Sequence, residues 1–299
     1  MGAIKELMKV LVIGQSGQLG RSISREFTTK MELISFDSRE HNLIELSAIR
    51  KPIIDSKPDV IINAAAWTNV DAAESNESLA REANALIPSN LATLARELSI
   101  PFYQISTDYV FAGIASIPWE VNSPTNPDSV YGITKLEGEM QSLEIYREGT
   151  RILRTAWLYS CFGKNFVKTM IRLALQNQNN ISVVSDQYGQ PTSAIDLANQ
   201  IQLCLSLDLP PGIYHATNSG SATWNEFARE IFLLLDEDPE RVLEIDSESL
   251  SLAATRPNYS VLSHDCWQGT GIEPMRDWRN ALATQIEEIA YIVKTEENL

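Results

Sequence analysis

Four apolar runs, each ending in small or polar residues, punctuate the first half of the chain: Val10-Leu11-Val12-Ile13, Glu32-Leu33-Ile34-Ser35-Phe36, Asp59-Val60-Ile61-Ile62-Asn63 and Pro101 through Phe111. The first has no polar position on either face, which predicts a strand covered on both sides, as in a parallel sheet. Between the runs the apolar spacing becomes helical, with Ile23 and Phe27 after the first run and an alanine-rich stretch at about 76–98 after the third. Strands alternating with helices predict an α/β protein built on a Rossmann-type, doubly wound parallel sheet.

The break after the first run is Gly14-Gln15-Ser16-Gly17-Gln18-Leu19-Gly20, and a helical pattern follows at once. Strand, glycine turn and helix in that order suit a dinucleotide, because glycines let the backbone approach a pyrophosphate and the N–H groups that open a helix bind it. Gly14, Ser16, Gly17, Gln18, Leu19 and Gly20 are therefore cofactor candidates, the alternative being a glycine turn without ligand. Asp37, after the second run, is placed to accept hydrogen bonds from an adenosine ribose, which favours NADH, or is a plain turn residue. Ser38 and Arg39 beside it suit the 2′-phosphate of NADPH, so either cofactor is expected. Ala64, Ala65 and Ala66 after the third run allow the same ligand to come close.

The fourth run ends in hydroxyls, and ligands of parallel sheets gather at the carboxyl ends of strands. Thr107 is thus placed to donate a hydrogen bond to a substrate oxygen, or is a solvated turn residue. Tyr131 and Lys135 form a Tyr-x-x-x-Lys pair, which on a helix lies along one face. A fixed ammonium favours the phenolate and would bring Tyr131 down from the ordinary phenol value of ~10 toward neutrality, making it a usable proton donor.

Composition narrows the partners. The 299 residues are 44% hydrophobic and 21% charged, the balance of a globular protein without a long disordered tail. A formal charge of −15 without a dense basic cluster argues against a nucleic-acid partner. Cys161, Cys204 and Cys266 show no CxxC spacing, so neither a disulfide framework nor a zinc site is expected. The apolar stretch after Lys9 is too short for a signal or a membrane span, from which a cytoplasmic location and no membrane partner are expected.

Further segments extend the pattern: Asn63-Ala64-Ala65-Ala66-Trp67-Thr68, Ser106-Thr107-Asp108-Tyr109-Val110-Phe111, Arg154-Thr155-Ala156-Trp157, Asn165-Phe166-Val167, Asp186 through Thr192, Gly212-Ile213-Tyr214-His215, Thr223 through Ala228, and Arg256-Pro257. Together with Gly14 to Gly20 and Tyr131 to Lys135, they resemble the extended short-chain dehydrogenase/reductase family along nearly the whole chain. The resemblance implies hydride transfer from NADPH or NADH to the C4 ketone of a dTDP-sugar, dTDP-4-dehydro-L-rhamnose. Tyr131 would protonate O4, Thr107 would hydrogen-bond it, and Lys135 would bind the nicotinamide ribose. It also implies cofactor contacts at Asn42 and Leu43, and substrate contacts at Thr68, Val70, Thr107, Asp108, Tyr109, Trp157, Asn165, Gln190 and Arg256. Trp157 would face the sugar or pack internally; Arg256 would meet the diphosphate or fix a loop. The implied organisation is a dinucleotide-binding domain at 1–155 and a smaller α/β lobe, mainly for the nucleotide sugar, at 156–299, whose segments are candidates to cross back. Two rival readings stay open: a reductase or epimerase of another nucleotide-linked sugar, and a non-catalytic subunit resembling the regulatory β subunit of methionine adenosyltransferase.

Two places depart from the family. Asn42-Leu43 stands where members often carry Asp-Leu, and Arg21-Ser22-Ile23-Ser24 where some carry a glutamate that bridges dimers through magnesium. No metal is expected on that account, and the chain is expected to be a monomer or a homodimer. His41 and His264 lack partners at metal-ligand spacing, and His215 is expected to be a packed strand residue.

Overall fold

The computed structural model describes residues 7–27, 31–36, 41–176 and 178–297. Five strands, β1 (Met8–Ile13), β2 (Met31–Phe36), β3 (Val60–Asn63), β4 (Phe102–Thr107) and β5 (Thr150–Thr155), join the later strand Gly212–His215 in one parallel sheet. Its order is Gly212–His215, β5, β4, β3, β1, β2. The described helices are α1 (Gln18–Glu26), α2 (Leu46–Ser56), α3 (Val70–Ser75), α4 (Glu77–Arg81), α5 (Ile87–Leu98), α6 (Val130–Tyr146), α7 (Phe166–Gln176), α8 (Ala194–Ser206), α9 (Trp224–Leu234), α10 (Trp278–Ala283) and α11 (Ile286–Glu297).

The alternation of side chains along β1 divides the sheet domain into two cores. Val10 and Val12 pack with Ile23 and Phe27 below α1 and with Leu197 and Ile201 of α8. Leu11 and Ile13 point the other way, toward Ile49 and Ile53 of α2 and Leu91 and Leu94 of α5. All four β1 residues are fully buried, which explains the unbroken apolar run, and each such side chain contributes roughly 1.5–3 kcal/mol. Strand order reverses at β1, with β2 on one side and β3 on the other, so a crevice opens at their carboxyl ends.

The alanine-rich stretch is not one helix. α4 passes into a π-helical turn, Glu82–Leu86, before α5 begins. Pro88 has no N–H to give the carbonyl of Asn84, four residues back, and Ile87 bonds Glu82 instead, so the turn widens. The widened turn meets α6 closely: a Cβ on Gly138 would lie 2.0 Å from the Asn84 carbonyl oxygen.

A separate core gathers Val167 and Ile171 of α7, Phe227, Ile231 and Phe232 of α9, Trp278 of α10, and Ile289 and Val293 of α11. Between these helices the chain returns to the sheet as α8 and the edge strand Gly212–His215.

Candidate active site

The glycine turn closes on itself at the crevice. Gly14 has φ 82°, and a Cβ there would lie 2.7 Å from Ala65 N; one on Gly20 would lie 2.2 Å from the Gly14 carbonyl oxygen. Only a residue without a side chain fits either position. Gly17 opens α1 with no side-chain cap and no acidic residue in the first turn, so nothing competes with an anion for those N–H groups. Ser16 and Gly17 are exposed, whereas Leu19 and Gly20 are buried. These features fit a dinucleotide pyrophosphate. At the ends of β4 and β5 the buried hydroxyls of Ser106 and Thr155 have no hydrogen-bond partner among the described residues.

Gln18 has a second engagement. Its Oε1 accepts from Ser160 Oγ at 3.2 Å and from Asn165 Nδ2 at 3.0 Å. The Asn165 amide also donates to the Ser160 carbonyl, and its Oδ1 accepts from Lys168 N, so it caps α7 and ties that loop to the glycine turn. Asn42 is exposed, but Leu43 is a core residue packed with Phe36 and Ile49, its carbonyl accepting from Asn90 Nδ2 at 3.0 Å. Asp37, Ser38 and Arg39 lie outside the described residues.

Thr107 ends β4, and Tyr131 lies in the first turn of α6. That turn is fixed from two sides: Ser129 Oγ accepts from Gly132 N at 3.1 Å, and Glu74 Oε1 accepts from Val130 N at 2.9 Å. Gly132 lets the helix close on the Tyr109 carbonyl, 2.4 Å from where a Cβ would stand. The Tyr109 ring meets Tyr131 edge-on with centroids 5.4 Å apart. Lys135 is buried and donates from Nζ to the Ile105 carbonyl at 2.6 Å. That carbonyl also accepts from Gln104 Nε2, while Gln104 Oε1 accepts from Asn63 Nδ2, both at 2.8 Å.

The Tyr131 pKa moves opposite to the direction predicted from the Tyr131/Lys135 spacing. Burial pushes the phenol up to about 12, and the Asp108 charge adds to the rise against the hydrogen bond of Thr107. Lys135 is turned to the β4 carbonyl, and burial brings it down to about 8 against the pull of Glu139. Glu139 is itself bound by Arg154 through Nε at 2.9 Å and Nη2 at 2.7 Å, and the Arg154 guanidinium lies over Phe111. Asp108 accepts from Thr107 Oγ1 at 3.0 Å, and burial pushes its carboxyl up to about 6.

The remaining substrate candidates divide. Tyr109 feels the charges of Arg256 and Asp71, which places that pair beside the Thr107, Asp108 and Tyr131 group. Arg256 donates to Asp71 Oδ2 at 2.6 Å and to the Ala254 carbonyl, and so holds its loop on α3. Thr68 is exposed and Val70 partly so at the start of α3. Trp157 has φ 45°, rare for a bulky residue, with one ring face covered by Trp224 at 3.5 Å and the Gly189 backbone against the same indole. Gln190 is a buried clamp: Oε1 accepts from Leu262 N and Thr217 Oγ1, and Nε2 donates to the Leu262 carbonyl. His215 is packed, with Nδ1 on the Ser263 carbonyl at 2.9 Å, and burial brings its imidazole down to about 3.

Sequence reasoning passed over Asn84, Gln104 and Glu139. The Asn84 Oδ1 accepts from Trp67 N at 2.9 Å, and its Nδ2 donates to Thr134 Oγ1 at 3.1 Å, joining the loop after β3 to α6. Its signal was the position four residues before Pro88. Among the described residues no group of three or more His, Cys, Asp or Glu could hold a metal, and no helix is long and apolar enough to cross a membrane.

The sequence matches the family described as RmlD substrate binding domain over residues 8–291. It is 43% identical over 277 residues to the dTDP-4-dehydrorhamnose reductase of Streptomyces griseus, covering 91% of both chains. It is 42% identical over 287 residues to the probable dTDP-4,6-dihydroxy-2-methyloxan-3-one 4-ketoreductase of Streptomyces antibioticus, covering 94% of this chain and 96% of that one. The crystal structure of dTDP-4-dehydrorhamnose reductase from Bacillus anthracis in complex with NADP matches with a TM-score of 0.90 at 34% identity, covering 95% of this chain and 100% of the other.

Proposed function

The chain belongs to the RmlD substrate binding domain family, and from that premise we propose that it reduces the C4 ketone of dTDP-4-dehydro-L-rhamnose to dTDP-L-rhamnose with NADPH or NADH. The observation that carries the reading is the grouping of Thr107, Asp108 and Tyr131, with Lys135 one helical turn on, at the carboxyl end of β4. The bound nicotinamide supplies the hydride. The glycine turn from Gly14 to Gly20 and the loop Ala64 to Ala66 would hold it at the crevice between β1 and β3.

Hydride addition at C4 leaves an alkoxide at O4, which is far more basic than any phenol. Tyr131, raised to about 12, carries its proton throughout the neutral range and gives it to that oxygen. Thr107 hydrogen-bonds the same oxygen and spreads its charge. Lys135, protonated below about pH 8 and one turn on from Tyr131 along α6, would offset the phenolate left behind and would hold the nicotinamide ribose. Arg256 faces the substrate diphosphate once it exchanges Asp71 for phosphate oxygens, and Trp157 offers the sugar the ring surface that Trp224 does not cover. On this reading the chain works in the cytoplasm, as a monomer or homodimer.

A second reading is favoured by one observation. Identities of 43% and 42% to enzymes named for different dTDP-linked substrates leave sugar choice finely divided. The chemistry at C4 would be unchanged, and a panel of dTDP-4-ketosugars separates the two by kcat/KM. The test of the reaction itself is oxidation of NADPH and NADH dependent on dTDP-4-dehydro-L-rhamnose. Tyr131→Phe should lose roughly 10²- to 10⁴-fold in turnover while keeping cofactor affinity; full activity in that variant would reject the assignment. A non-catalytic subunit would show no turnover to lose.

A further inference from the structure

A hydroxyl has one proton to donate, and Thr107 gives its proton to Asp108. The Thr107 Oγ1 lies 3.0 Å from Asp108 Oδ1 and accepts from Tyr109 N at 3.2 Å. An ionised carboxylate can only accept, so as long as Asp108 is charged Thr107 has no proton left for the oxygen of a reacting ketone. Its remaining lone pair would face a developing alkoxide with the wrong sign.

We infer that Asp108 is a positioning residue that gates Thr107: with its carboxyl protonated it donates across the same 3.0 Å contact, and the Thr107 proton turns to the substrate oxygen. The capacities then close. Thr107 accepts from Tyr109 N and from Asp108, and its one proton is free for O4 in place of the Tyr131 phenol oxygen, with which Thr107 also hydrogen-bonds. The gate rests on the reading above, in which Thr107 meets the oxygen at C4.

The surroundings allow the reversal. Asp108 is 2% exposed, and no ion pair to it occurs among the described residues. Burial holds its carboxyl up to about 6 against the hydrogen bond of Thr107, and its Oδ2 is buried with no hydrogen-bond partner among the described residues, Ser260 Oγ donating instead to the Tyr188 carbonyl at 3.4 Å. The groups acting at this point are Tyr131 from α6, Ser260 from the loop beyond Arg256, and Tyr109 of its own turn. Behind Tyr109, Arg256 and Asp71 pair with each other at 2.6 Å. The link to Tyr131 works in the same direction: a charged Asp108 raises the phenol, and a neutral one lets Tyr131 release its proton more easily.

The test uses two variants. Asp108→Asn keeps the shape and offers Thr107 a permanent amide donor, whereas Asp108→Ala offers nothing. Reductive kcat/KM of the wild-type protein should fall as pH rises above about 6, approaching tenfold per unit. Asp108→Asn should flatten that fall, and Asp108→Ala should lose roughly tenfold or more at every pH. An Asn variant that keeps the wild-type pH slope, or that loses as much as Ala throughout, overturns the gate. Wild-type-minus-Asn infrared difference spectra read the Asp108 carboxyl without any turnover. A protonated-acid band growing in as pH falls through about 6 supports the gate, and a carboxylate that stays ionised to pH ~4.5 overturns it. Absence of reduction in all three proteins would instead reject the substrate assignment, while the spectra still decide the gate.

Discussion

Asp108 is costly where it stands. Its carboxyl is raised from the ordinary 3.8 to about 6, so between those values the folded protein holds a proton that the unfolded chain has released. Stability attached to this group is present below pH ~4 and is lost as pH rises through about 6. Asp108→Asn, which cannot charge, should match the wild type near pH 4. Above pH ~6.5 it should exceed it by on the order of 1–3 kcal/mol, read by urea denaturation at both pH values. A variant less stable than wild type at pH 8 would show that the carboxylate is better solvated than its burial implies. The proposed catalytic group was legible in the sequence as a candidate because Thr107, Tyr131 and Lys135 carry chemistry by type and spacing, and the fold brings Thr107 and Tyr131 within one hydrogen-bonded group. The direction of the Tyr131 shift was not legible: it depends on how deeply the phenol is buried and on Lys135 turning to the Ile105 carbonyl, which are properties of packing. Asn165 and Gln190 look like ligand contacts by type, yet their amides are engaged by their own chain.

The strand runs and the glycine turn were readable because burial on both faces and close backbone approach each demand one residue type. The π-helical turn was not, although its cause is local. A proline at position 88 forbids one helical bond, but helix propensity does not reveal that the freed Asn84 carbonyl becomes the seat of Gly138 or that its side chain reaches Trp67 and Thr134. The clasp orients the helix that carries Tyr131. Asn84→Ala should strand the Trp67 N–H and cost about 1–3 kcal/mol in denaturant unfolding. It should also lower kcat more than it raises KM for the sugar. Unchanged stability and kcat would show that α6 holds its place without it.

One chain threads the two-sided core of the sheet and the separate helical core, and the sheet side below α1 completes itself only with α8 and the Gly212–His215 strand. Arg25 of α1 also meets Glu288 of α11 at 2.6 Å, an exposed pair of small individual weight. The more consequential bridge is Gln18, which joins the glycine turn to Ser160 and Asn165. Cofactor binding at that turn should therefore stabilise both cores together. A single unfolding transition should move up with NADPH, by ~2.7 kcal/mol at a hundredfold excess over Kd, and Gln18→Ala should weaken cofactor affinity. Two separated transitions, with only one responding, would show that the cores unfold independently. The most direct test of the whole account is turnover of dTDP-4-dehydro-L-rhamnose by the wild-type protein beside Tyr131→Phe, followed through NADPH absorbance and identification of the product. The account predicts dTDP-L-rhamnose from the wild type and a loss of roughly 10²-fold or more in the variant; a wild-type protein that binds NADPH but leaves the ketosugar unreduced would contradict it.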